Sequence, residues 1–160
     1  MVPIFETFVV NHAITNFDIT GEVIYKYYQR LGIQEGFSRE DVPLKKALIE
    51  LYNSVYVTLD PDRESARIIR ELDSGRKLRE SNYKASECIF KPSLVEKDSD
   101  SLDSAIMSVL SKCEVNFRRG LCNNIVVYGP AVFRGLRDRL RLEIQKNLKG
   151  SIEVKVIHLR

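Results

Sequence analysis

Long apolar runs are missing from this 160-residue sequence. Nowhere do about 18 apolar residues follow one another, which excludes a membrane-spanning helix. The N-terminus has no basic region leading into an apolar stretch, so no secretory leader is expected. Cysteine is scarce. Cys88, Cys113 and Cys122 make an odd count with no Cys-x-x-Cys pair, and the expectation is buried, reduced thiols in an intracellular protein, cytoplasmic or nuclear. Histidine is scarcer still. His12 and His158 stand far apart, without the clustered partners that a metal ligand or a general base needs. A surplus of one charge is also lacking: 25 basic and 22 acidic residues leave a formal +3, too little by itself to imply a polyanionic partner.

What is present is 44% hydrophobic residues, enough for one domain with a core or for two small lobes. The stretch from Lys112 to Leu140 organises the rest. It holds an apolar strand, Ile125-Val126-Val127-Tyr128, ending on Gly129-Pro130. An amphipathic helix follows, with Leu136, Leu140, Ile144 and Leu148 four residues apart and Arg137, Asp138, Arg141 and Lys146 on other faces. Gly150 stands where a helix end favours positive φ. Ser151 to Val156 then alternates like a half-buried strand. Strand, helix and strand over about 35 residues make a βαβ unit, whose ligands sit beyond the strands' carboxyl ends, here around Tyr128 to Arg134.

Upstream, Pro3 to Phe17 alternates as a hairpin with its turn near Asn11-His12. Asp18 or Thr20 can cap the next helix, in which Val23, Ile24, Tyr27, Tyr28 and Leu31 share a face and which Gly32 ends. After a polar break from Gly36 to Asp41, Pro43 suits the first turn of a helix with Leu44, Ala47, Leu48, Leu51, Tyr52 and Val55 as its stripe. Asp60-Pro61-Asp62 reads as a turn. Arg63 to Glu80 is strongly charged and reads as exposed and partly irregular, with a turn at Asp73-Ser74-Gly75. Lys97 to Ser101 is a polar loop leading to a helix with Leu102, Ala105, Ile106, Val109 and Leu110 inward.

These patterns describe an α/β domain with a mostly helical insertion from about Gly21 to Lys91. The residues also carry a resemblance. Val2-Pro3-Ile4-Phe5-Glu6, His12-Ala13-Ile14, Asp18-Ile19-Thr20-Gly21, Tyr56-Val57-Thr58-Leu59-Asp60, Phe90-Lys91-Pro92-Ser93, the Lys112 to Val127 stretch and the Gly135-x-x-x-Arg139 helix start resemble, in order, the actin and actin-related proteins. The resemblance runs from Val2 to about Ile157 and covers only the second half of that fold. It implies half of an actin-like (actin/sugar-kinase type) ATPase fold. Residues 1–20 and 92–160 would form the inner α/β lobe, and residues 21–91 the inserted, mostly helical outer lobe.

The resemblance also implies where nucleotide contacts belong. The family's loop under adenine and ribose corresponds to Gly129, Pro130 and Phe133, and its backbone approach to the ribose to Gly21. A glycine turn at a helix N-terminus offers free N–H groups, but Pro130 has none to donate. Phe133 can stack on a base or sit in the core; Gly21 can approach a ribose or simply follow a helix cap. The family's adenine-flanking lysine and glutamate are replaced by Leu51 and Tyr52. Its phosphate loops lie before the Val-Pro-Ile stretch, where this chain starts with Met1. Asp73-Ser74-Gly75 imitates a phosphate hairpin but follows no apolar strand. Since phosphoryl transfer depends on positioned donors and a metal, the expectation is no ATPase activity and no cofactor for this chain alone, with ATP or ADP reserved for a full-length parent.

Arg134, Arg137 and Arg141 share a helical face near Arg118 and Arg119. Asp138, Glu143 and Glu114 are interleaved and no aromatic platform accompanies them, so an ion-paired surface is expected and nucleic acid is not. Protein partners, actin-like subunits or a larger complex, are what the resemblance implies.

Overall fold

The computed structural model describes residues 1–36, 53–73, 79–129, 133–149 and 152–159. The N-terminal hairpin pairs β1 (Ile4–Phe5) with β2 (Phe8–Val9) in antiparallel register. Its turn is at Glu6-Thr7 rather than at Asn11-His12. Both turn residues take positive φ, 46° and 73°, the conformation that a two-residue hairpin demands and that Asn-Gly usually supplies. Glu-Thr gives no such signal. Asn11–Ala13 instead forms a 3-10 turn, and the His12 ring N–H donates to the Lys112 carbonyl at 3.0 Å.

Helix α1 (Gly21–Gln34) starts where expected, with the Thr20 hydroxyl accepting from the Val23 amide at 3.4 Å. It does not stop at Gly32. The last turn continues because Gly32 keeps helical geometry, and the left-handed residue is Gly36, at φ +95°. The expected helix over Pro43–Val55 falls mostly outside the described residues, as do Ser74 and Gly75.

The charged stretch after Asp60 is α2 (Pro61–Asp73) and not irregular chain. Asp60 caps it, accepting from the Arg63 amide at 3.1 Å, and Pro61 occupies the first helical position, where its missing N–H costs nothing. Ile68 is wholly buried. Asp62, Arg63 and Arg67 are exposed, and such charges hid the helix from a reading weighted toward polarity. Short α3 (Ser81–Glu87) packs against α1. The Glu35 carboxylate takes the Ser81 amide at 2.7 Å and the Ser81 hydroxyl at 2.8 Å, so one helix end caps the next.

After a 3-10 turn at Pro92–Val95 come α4 (Leu102–Lys112) and α5 (Val115–Cys122). Ser101 caps α4 through the Ser104 amide, and Ala105, Val109 and Leu110 are buried along it. Strand β3 (Ile125–Tyr128) matches its expected bounds, and α6 (Leu136–Asn147) buries Leu136, Leu140 and Ile144. The parallel partner is β4 (Val156–Leu159), with Ile125 opposite Val156 and Tyr128 opposite Leu159.

That strand begins where the alternating stretch ends. Residues 152–154 are held by a side chain instead: Gln145 donates to the Ile152 carbonyl at 2.9 Å and accepts from the Val154 amide at 3.2 Å. Gly150 lies outside the described residues, and Lys149 carries a left-handed φ of 49°. One buried cluster joins Ile19, Ile24, Val57, Phe90, Leu140 and Val156, so a single core crosses the expected lobe boundaries. No described helix is long and apolar enough to cross a membrane.

Candidate functional site

Four residues were singled out as nucleotide contacts. Gly21 is the first residue of α1, directly after its Thr20 cap. Gly129 ends β3 on an exposed turn at φ +123°, where a Cβ would meet nothing within 4 Å. Pro130 lies outside the described residues. Phe133 is 4% exposed and belongs to the same core cluster as Ile24, Tyr25 and Tyr27 of α1. A ring so enclosed is packed among core side chains, and a base would have to displace them to reach it.

A cleft of about 410 Å³ opens beside Asp18, between the Thr15–Asp18 segment and the Asp98–Asp100 loop. It is large enough for a small ligand. Asp18, Asp98 and Asp100 rim it, so a phosphate would meet like charge at the mouth.

The feature that residue reading missed lies where α6 meets the Tyr56–Thr58 segment. Gly135 precedes α6 at φ +88°, and an added Cβ there would stand 2.1 Å from the Val57 carbonyl oxygen. Only a residue without a side chain permits that approach. The Val57 amide donates to the Arg134 carbonyl at 2.8 Å, within a parallel bridge between Tyr56 and Arg134.

One turn further, the Arg139 side chain is almost wholly buried. It donates to the Thr58 carbonyl at 2.7 Å, to Glu143 at 2.6 Å and, at the outer limit of a hydrogen bond, to Glu87 at 3.5 Å. Its guanidinium also lies 4.8 Å over the Phe90 ring. Gly135-x-x-x-Arg139 and Tyr56-Val57-Thr58 were both among the resembling stretches; the structure shows that they fit each other. A signal was available, because Arg139 and Glu143 sit three and seven residues after Leu136, on the inward edge of the helix.

A buried carboxylate, Glu87, and a half-buried one, Glu143, thus face one guanidinium. Burial raises the Glu87 carboxyl above its ordinary value, against the lowering effect of Arg139 and Lys91. Its Oε2 has no hydrogen-bond partner. Burial pushes Glu143 the same way, but hydrogen bonds from Lys146 and Arg139 outweigh it and hold that carboxyl low. The arrangement has the partners of a structural tie.

The exposed surface is not uniform. Phe8 is 77% and Val115 74% exposed, with Ile4 and Val9 also open, while beneath them Phe5 and Phe117 stack with centroids 3.8 Å apart. Hairpin and α5 therefore present one apolar end. The loop after Pro92-Ser93 is charged, and Arg30 fixes it by donating to the Leu94 carbonyl at 2.7 Å and pairing with Glu96 at 3.4 Å. Of the arginines read as one helical face and its neighbours, Arg137 pairs with Asp138 at 3.0 Å, and Arg118 donates to the Cys113 and Ser111 carbonyls at 3.0 and 2.9 Å.

A protein-family model described as Actin matches residues 52–160, about two thirds of the chain. The matched region contains Gly135, Arg139, Glu87 and both strands of the parallel pair. The hairpin and α1 precede it.

Proposed function

The chain belongs to the actin family, with an α/β actin-like fold, and on that premise we propose that it is a structural subunit of a protein assembly. It is contacted at the hairpin end and does not propagate a filament. The observation that carries this reading is the asymmetry of the surface. Phe8, Val115, Ile4 and Val9 offer apolar area at one end, and clustered exposed apolar side chains are what partners cover. The loop from Leu94 to Ser101 offers Glu96, Lys97, Asp98 and Asp100 instead. Burying such groups without partners costs more than the flanking Leu94 and Val95 return.

Nucleotide turnover has no part in this role. The acidic rim beside Asp18, the burial of Phe133 and the missing N–H of Pro130 all oppose a bound triphosphate in this chain, while a full-length parent could still hold ATP or ADP. The test adds the chain to polymerising actin and, separately, to itself. End-binding without elongation supports the proposal. Homopolymer filaments in the electron microscope, or micromolar ATP binding by calorimetry, would refute it.

A further inference from the structure

We propose that Glu87, Arg139 and Glu143 form a proton-operated latch that fastens α3 and the Tyr56–Thr58 segment to α6. Two carboxylates meet one guanidinium here: Glu87 is buried with Arg139, and Glu143 lies half-buried at the edge. Arg139 supplies the one buried guanidinium, its Nε committed to Glu143 at 2.6 Å and its Nη1 shared between Thr58 and Glu87. Glu87 therefore has the longest contact, and its second oxygen is buried without a partner. The other charge acting on it is Lys91 after α3; Tyr27 on α1 is the further titratable group that faces it, and Arg30, Lys84 and Cys88 act on that phenol. Lys146 is exposed and reaches the cluster only through Glu143, at 3.0 Å.

With Glu87 neutral, one carboxylate balances one guanidinium and the latch is closed. With Glu87 charged, two carboxylates compete for Arg139, and a buried anion left half-paired drives α3 outward. The sign follows from linkage. A carboxyl raised above its unfolded value binds its proton more tightly when folded, so stability falls as pH rises from about 4.5 through the folded value. Glu143 acts in the opposite sense and in a separate window: its carboxyl is lowered, so its contribution is lost only as pH falls below 4.5.

The test follows the Glu87 carboxyl carbon by NMR in the full chain, together with hydrogen exchange at the Val57 amide, whose bond to Arg134 adjoins the latch. Glu87 should titrate above pH 4.5, the ordinary value. Val57 protection, corrected for intrinsic exchange, should fall over the same window by up to about tenfold per pH unit, the limit for one proton. Glu87→Gln should abolish that dependence. Glu143→Gln should move it to lower pH, since Arg139 then serves one carboxylate. Titration of Glu87 at or below 4.5, flat protection at Val57, or pH dependence surviving in Glu87→Gln overturns the proposal. If that variant does not fold, the wild-type titration alone decides.

Discussion

Gly135→Ala is the substitution that the contact between α6 and the Tyr56–Thr58 segment makes most costly. The added methyl would sit 2.1 Å from the Val57 carbonyl oxygen and 3.2 Å from its carbon, so main chain must part from main chain by roughly 1 Å, the shortfall from ordinary contact. No side chain can rotate out of the way. Three losses follow. A residue with a Cβ held at positive φ costs about 1–2 kcal/mol. The Val57–Arg134 hydrogen bond contributes about 0.5–1.5 kcal/mol, and the charged Arg139–Thr58 bond about 1.5–3 kcal/mol. Alanine returns about 0.4–1 kcal/mol by restricting the unfolded chain.

The net expectation is destabilisation by about 2–6 kcal/mol, a large share of the roughly 5–15 kcal/mol that a domain possesses. Two other glycines serve as controls. Gly129→Ala, also at positive φ but with no atom within 4 Å, should cost only the backbone strain. Gly120→Ala, within α5 and equally open, should stabilise by about 0.5–1 kcal/mol. Urea denaturation followed by circular dichroism reads all three. If Gly135→Ala lies within about 1 kcal/mol of its parent, or no lower than Gly129→Ala, the close approach to Val57 does not hold the helix start in place.

Arg139→Met should destabilise by about 3–5 kcal/mol because it strands the buried Glu87 carboxylate, and adding Glu87→Gln should recover part of that loss in a double-mutant cycle. Asp60→Ala should lower stability by about 1 kcal/mol through the lost cap of α2, measurable as a shift in the denaturant midpoint at unchanged slope. The thiols should be inert in the native state: all three are buried, and burial drives Cys88 up to about 12. A colorimetric thiol reagent should therefore titrate three groups only after denaturation, and rapid reaction with the native chain would contradict the packing.

Elements whose signal is local were legible in the residues. Ile125 to Tyr128 is an apolar run closed by glycine, Leu136 to Asn147 has its leucines in step with the turn, and Thr20 precedes its helix as a hydroxyl cap; each appears where the local pattern puts it. Membership in the family was legible too, because ordered agreement along the chain needs no coordinates. Other features depend on partners far away in sequence.

The hairpin turn at Glu6-Thr7 is held in positive φ by the pairing around it, against what those residues favour alone. The sequence 152–154 alternates like a strand, yet Gln145 takes its hydrogen bonds and pairing starts later. Arg139 reads as one more charge on a charged helix. Only the fold brings Thr58, Glu87 and Phe90 around it, from positions 81, 52 and 49 residues away. Sequence alone determined the segments whose signal is local, β3, α6 and the Thr20-capped start of α1 among them, since backbone preference and periodicity act over a few residues. Which glycine is irreplaceable and which charge is buried were decided by tertiary structure, because steric contact and desolvation depend on neighbours that chain order does not list.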